Sequence, residues 1–181
     1  LRRDGMGEWI LARLQRDALD QPGVDSVIVL IGINDISWPG TAFARAQPRP
    51  SLAELQAGYR ALAEQAHRRG LRILVATLTP FADALPGTPL DDYYQPDKEA
   101  LRQQLNAWLR SDSPFDAVID LDAALRDPAD PSRMAAAYDS GDHLHPGDAG
   151  NRAMAEAVDL EVLLGASETP GVRSLSQGKG I

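Results

Sequence analysis

The five residues Val27-Ile28-Val29-Leu30-Ile31 constrain this chain more than any other stretch. They are apolar at every position, four of the five are β-branched, and turn formers bound them at Pro22-Gly23 and Gly32. A strand with one wet face alternates, whereas a continuous run fits a strand buried on both faces of a parallel sheet. Leu71 to Leu78 reads as a second such strand, and Phe115 to Asp120, with Val118 and Ile119 at its centre, as a third. Helical spacing fills the intervals. Residues 8–19 carry Trp9, Ile10, Leu14, Ala18 and Leu19. A capping box of Ser51 and Glu54 opens a helix lined by Leu52, Leu55, Tyr59 and Leu62, which Gly70 closes at C′. Leu101, Leu105 and Trp108 mark another helix. Asp148 is placed to N-cap the last, whose apolar stripe is Ala153, Met154, Ala157, Val158 and Leu160. Strands alternating with helices predict an α/β, doubly wound parallel sheet with right-handed crossovers. One domain is expected over residues 1–165, followed by a Ser- and Gly-containing flexible tail over 166–181.

Sheets of this kind bind ligands at the carboxyl ends of their strands. That directs attention to residues 32–40, 79–95 and 121–147. Composition narrows the chemistry. The 181 residues carry 18 Lys and Arg against 26 Asp and Glu, a net charge of −8. Such a chain is a poor partner for nucleic acid or an anionic membrane. The absence of Cys removes disulfides, thiolate nucleophiles and Cys zinc sites. No apolar run is long enough to span a bilayer.

Two groups of residues stand in the predicted loops. Gly32-Ile33-Asn34-Asp35 directly follows the first strand, where an Asn amide could donate to an oxyanion. The same residues are also ordinary turn formers. Asp142-His143-Leu144-His145-Pro146 precedes the last helix. One turn brings Asp142 against His145, and a carboxylate on Nδ1–H leaves Nε2 as a proton acceptor. The alternatives are exposed loop histidines, or a weak metal site from Asp142, His143 and His145. His67, near the end of the Ser51 helix, is expected to interact with the helix dipole.

Taken together, these residues resemble the SGNH/GDSL hydrolases, flavodoxin-like serine esterases with a three-layer parallel sheet. Gly32, Asn34 and Asp35 match that family's third block, and Asp142 and His145 its fifth. The wording Tyr138 to Pro146, followed by Asp148-Ala149-Gly150, is similar to the bacterial carbohydrate-esterase-like branch. The resemblance implies a carboxylic ester hydrolase acting on short, acetyl-like acyl groups, on a small molecule or carbohydrate, with no cofactor and no metal. His145 would be the general base, Asp142 its orienting carboxylate and Asn34 an oxyanion donor. Gly32, Asp35, Trp38 and His143 would lie against substrate. Trp38 and Tyr93-Tyr94 could stack on a sugar or simply pack their loops.

The family's nucleophile stands in a Gly-Asp-Ser at the end of its first strand, and this sequence contains no Gly-Asp-Ser. Ser26, Ser37 and Ser140 all stand elsewhere in the pattern, and Leu1 to Gly7 is similar to the segment just after the second block. The first strand and the nucleophile are therefore expected to be missing from these residues, which leaves the strand at 27–31 as an apolar edge open to self-association. Many relatives of this type are secreted, so the resemblance implies a secreted or periplasmic protein, while no signal segment stands in these residues. The alternative function is a degenerate, non-catalytic hydrolase serving as a carbohydrate- or lipid-binding module.

Overall fold

The structure, a computed structural model, describes residues 9–165. The expected tail at 166–181 and the segment Leu1 to Gly7 lie outside the described residues. Three parallel strands, β1 (Ser26–Val29), β2 (Arg72–Ala76) and β3 (Ala117–Ile119), form a sheet in that order. Ile28 pairs with Leu74, and Val75 pairs with Val118. Around them run α1 (Ile10–Leu14), which continues as a π-helical turn Gln15–Leu19, α2 (Ile33–Ser37), α3 (Leu52–His67), α4 (Pro96–Asp112), α5 (Leu121–Leu125), α6 (Asp148–Glu156) and α7 (Leu160–Leu164).

Side chains alternate along each strand, so β2 divides its residues between two cores. Ile73 and Val75 join Val29, Tyr59, Leu62, Leu105 and Trp108 beneath α1, α3 and α4. Leu74 and Ala76 join Ile119, Leu121, Met154 and Val158 beneath α6 and α7. Helices on both faces of a parallel sheet make the α/β three-layer arrangement read from the sequence.

β1 departs from its expected double burial. Val29 is buried, but Ile28 and Leu30 are each 43% exposed. They share the face of Leu74, yet α6 and α7 cover β2 and β3 and meet β1 at its first residue, where Ser26 Oγ donates to Leu163 O at 2.7 Å. Among the described residues no strand pairs with the outer edge of β1.

Capping chemistry is realised where the sequence spells it out. Ser51 Oγ accepts from the Glu54 amide at 3.3 Å, and Glu54 accepts from the Ser51 amide at 2.8 Å. At the far end of α3 the Leu71 amide reaches back to Ala66 O at 3.1 Å and the Gly70 amide to His67 O at 2.9 Å, a Schellman closure. His67 Nε2 also lies 3.1 Å from Asp116 Oδ2, a partner that spacing alone does not reveal. Three expectations change. Residues 33–37 form α2 instead of a loop, Gly147, not Asp148, is the N-cap of α6, and Leu160 stands exposed on the separate α7 instead of in the apolar stripe of α6. A Cβ on Gly150 would stand 2.5 Å from Tyr138 O and 2.7 Å from Pro146 Cβ. α6 thus lies close against the 138–146 loop, and the Gly147 amide is held by Tyr138 O at 2.7 Å.

Candidate active site

The site grows from the carboxyl ends of the strands. Gly32 leaves β1 with φ +118°, and an added Cβ would meet Tyr59 Oη at 2.7 Å. Only glycine satisfies both conditions. The Tyr59 hydroxyl donates to Ile31 O at 2.5 Å, fixing the strand exit from which α2 starts. Burial, helped by the charge of Asp35, pushes the Tyr59 hydroxyl well above the ordinary tyrosine range.

Asn34 is exposed on α2. Its Oδ1 accepts from the Tyr93 hydroxyl at 2.6 Å. Burial, and again the charge of Asp35, raises Tyr93 so that it remains a protonated donor. With Oδ1 so occupied, the free polar edge of the Asn34 amide is its Nδ2 donor. Tyr93 is held in turn by Lys98, a fully buried ammonium on α4. Lys98 Nζ donates to Ser37 O at 2.7 Å, Asp92 O at 2.9 Å and Tyr93 O at 3.2 Å. Burial depresses the Lys98 pKa. One lysine thus ties the end of α2 to the loop that holds its asparagine.

The second half of the site is the loop from Tyr138 to Gly147. Asp139 and Pro146 form an antiparallel bridge, and the Gly147 amide donates to Tyr138 O at 2.7 Å. Asp142 lies 2.6 Å from His145 Nδ1 through Oδ2. Its Oδ1 accepts from the His145 amide at 2.8 Å, the Leu144 amide at 2.9 Å and Ser140 Oγ at 3.0 Å. Partial burial alone would raise the Asp142 pKa. The hydrogen bonds from His145, Leu144 and Ser140 outweigh it and hold the carboxyl well below its usual range.

The same loop carries a second pair. Asp139 Oδ2 is bonded to His143 Nδ1, while Oδ1 accepts from the Gly141 and His143 amides at 2.8 and 3.0 Å. Burial opposes and these bonds favour the charged form, which leaves Asp139 lowered as well. The Asp139-x-x-x-His143 spacing is the signal that would have found this pair. It is masked by the adjacent Asp142-x-x-His145. Asp83, Leu85 and His143 are the non-glycine residues with left-handed backbone among those described, at φ +61°, +60° and +60°. Each such residue costs roughly 1–2 kcal/mol, and all three belong to this corner of the molecule. The Leu85 amide donates to Asp142 O at 2.8 Å, binding the 79–95 loop to the histidine loop. A cavity of about 390 Å³ opens between them, lined by Asp83, Asp91, Tyr94 and His143 among others.

An apolar cluster joins the two halves. Phe81, Ala84 and Tyr93 form its centre, and Ile33, Trp38 and Leu144 pack on it. Ile33 and Leu144 are the chain neighbours of Asn34 and His145, so these two residues flank one cluster at one end of the sheet. Of the other predicted contacts, Asp35 lies half-buried beside Tyr59 and Tyr93, and Trp38 stacks on Phe43 with ring centroids 6.0 Å apart. Tyr93 is only 2% exposed, so it packs the loop instead of offering a sugar platform. The two imidazoles take different carboxylates, and among the described residues no three His, Asp or Glu side chains gather as metal ligands would. No hydroxyl of the described residues is hydrogen-bonded to His145 Nε2, and Ser140 is engaged by Asp142.

α4 supplies the residues that sequence reasoning overlooked. Asn106 clamps the Leu78 backbone, accepting from its amide and donating to its carbonyl, both at 2.8 Å. Arg102 is 1% exposed; it donates to Leu78 O at 2.7 Å, to both Glu99 oxygens at 2.7 Å and to Asp122 at 2.6 Å.

A three-stranded parallel sheet with helices on both faces is the three-layer α/β fold of the SGNH hydrolases. The sequence matches the GDSL-like lipase/acylhydrolase family over residues 4–153, and the chain belongs to that family. Its fold is shared with a candidate acylhydrolase of Bacteroides fragilis (16% identity, TM-score 0.61, covering 84% of this chain and 67% of that one). A GDSL-like lipase of Bacteroides thetaiotaomicron is similar at 17% identity and TM-score 0.56, covering 86% and 67%. A variant of an acetyl-xylooligosaccharide esterase of Geobacillus stearothermophilus follows at 21% identity and TM-score 0.52, with 82% of this chain and 63% of that one covered. The chain thus spans about two thirds of the length of these structures. Comparison with curated proteins found no match. No helix among the described residues is long and apolar enough to cross a membrane.

Proposed function

We propose that these residues carry the base, orienting and oxyanion parts of a serine-type acylhydrolase for short acyl esters of a carbohydrate or other small alcohol. The supporting observation is the Asp142–His145 pair, whose carboxylate is saturated by backbone amides on one oxygen and imidazole Nδ1–H on the other. His145 Nε2 takes the proton of an attacking hydroxyl as that oxygen bonds to the ester carbonyl carbon. The carbonyl oxygen becomes an oxyanion that Asn34 Nδ2 stabilises by roughly 3–4 kcal/mol. The imidazolium, steadied by Asp142, then protonates the departing alkoxide. Water repeats the sequence on the acyl-enzyme.

The attacking serine is not assigned to any described residue. The open edge of β1 fits both an additional strand ending in Gly-Asp-Ser and pairing with a second copy of the chain. The test is the reading frame around these residues. We expect it to encode such a strand, and the protein from the whole frame to hydrolyse p-nitrophenyl acetate. His145→Ala should then lose at least about a thousandfold in kcat and Asn34→Ala roughly a hundred- to a thousandfold. The 181 residues alone should have negligible activity. Robust turnover by them, abolished in His145→Ala, would overturn the missing-nucleophile part in favour of a surrogate nucleophile or of water attack assisted by His145. A second reading, a non-catalytic carbohydrate- or lipid-binding module, draws on the lack of a hydroxyl at His145 among the described residues. Retention of a polysaccharide or glycolipid without hydrolysis by the whole-frame protein would favour it.

A further inference from the structure

An asparagine side chain has two faces of nearly the same shape, a carbonyl oxygen and an NH2, and a half-turn about its last bond exchanges them. Only one of them serves an oxyanion. The NH2 stabilises developing negative charge, and the carbonyl repels it. Asn34 is exposed on α2, so its orientation rests on hydrogen bonding more than on packing. The bond that decides it comes from the Tyr93 hydroxyl, which donates to Oδ1 at 2.6 Å.

Tyr93 is held firmly for a loop residue. Its ring is buried and set edge-on to Phe81 with centroids 6.2 Å apart. Its carbonyl is one of the three that Lys98 Nζ grips, together with those of Ser37 and Asp92. A buried ammonium is costly to desolvate, and here all three of its donors go to backbone. Ser37 Oγ and Asp92 Oδ1, at the same junction, are buried without a hydrogen-bond partner among the described residues. Such a junction adds little stability. What it delivers is a fixed position for residues 92 and 93 against the end of α2.

We propose that Tyr93 is the positioning residue of the oxyanion donor: its hydroxyl, anchored through Lys98, occupies Asn34 Oδ1 and so turns Nδ2 toward the position where the oxyanion forms. The role in turnover rests on the acylhydrolase reading, whereas the orientation rests on the Tyr93–Asn34 bond alone.

Two measurements test it. In the 181-residue chain labelled with 13C and 15N, the Asn34 carboxamide is followed by NMR in the parent and in Tyr93→Phe. The variant loses one oxygen, and its ring still fills the place against Phe81. The Asn34 Cγ and Nδ2 signals should move while the backbone signals of α2 stay in place. In the whole-frame protein, Tyr93→Phe should lower kcat on p-nitrophenyl acetate about ten- to a hundredfold, part of the loss for removing the donor itself, with KM within about twofold. The same substitution made in Asn34→Ala should have almost no further effect, because the two residues act as one unit. Unchanged Asn34 signals would overturn the proposal, as would equal losses of kcat with and without Asn34, the mark of a merely structural tyrosine. Full kcat in Tyr93→Phe would overturn the positioning role and leave the acylhydrolase reading intact. A whole-frame parent inactive on every ester would remove that reading and the role in turnover with it, and the carboxamide signals would still decide the orientation.

Discussion

Asp142 collects four hydrogen bonds on two oxygens, and that concentration has a consequence in acid. Its folded pKa lies below the ordinary carboxylate value of 3.8. The stability it contributes is therefore fully present above about pH 4 and is lost as pH falls through the folded pKa. A melting curve measured from pH 6 downward should show Tm falling below about pH 4, and Asp142→Asn should flatten that fall. An unchanged slope in the variant would detach Asp142 from the acid response. At this scale the sequence is informative where a spacing has one geometric solution. Asp142-x-x-His145 closes in a single turn, and Gly32-x-Asn34 follows a strand end. Asp139 and His143 are less legible because the pairing needs a left-handed backbone at a histidine, which the surrounding loop imposes and residue type does not announce. Lys98 is the extreme case. Its three partners are backbone carbonyls, and carbonyls carry no signature in a sequence.

Helices show the same division. α3 is legible from end to end because its signals are local: a capping box, an apolar face and a glycine closure. α4 is legible only along Leu101, Leu105 and Trp108. Its other face buries Lys98, Glu99, Arg102 and Asn106, residue types that ordinarily face solvent. For Arg102 and Asn106 the reason is their partners, Leu78 two residues past β2 and Asp122 on α5, which lie 20 or more residues away in sequence. Arg102→Met tests this arrangement. It leaves Glu99 and Asp122 without their central cation, and breaking a buried ion network of this kind costs about 3–5 kcal/mol. Chemical denaturation should show that loss. A variant within about 1 kcal/mol of the parent would mean that water or the neighbouring Arg110 and Arg126 replace the guanidinium.

For the whole molecule, the sheet order and the two cores follow from the alternation of elements, but the coverage of β1 does not. A run of five apolar residues reads the same whether a helix lies over one face or two, and only the reach of α6 and α7 decides. Ile28 and Leu30 accordingly stand half-exposed beside an unpaired strand edge, with Leu160 and Leu164 exposed on α7. The 181-residue chain should associate with increasing concentration in sedimentation or light-scattering measurements. Ile28→Lys should shift it toward the monomer, as charged residues on natural edge strands do. A monomer at all concentrations would show that the edge is too short to recruit a partner.

The bridge between Asp139 and Pro146 closes both histidines into a single bracket of eight residues, seated on the first turn of α6 through Gly150. Neither imidazole can move far without the other. The consequence is mechanical: Gly150→Ala, which forces α6 away from this bracket, should disturb both imidazole–carboxylate pairs at once, and the NMR signals of both histidines should shift together.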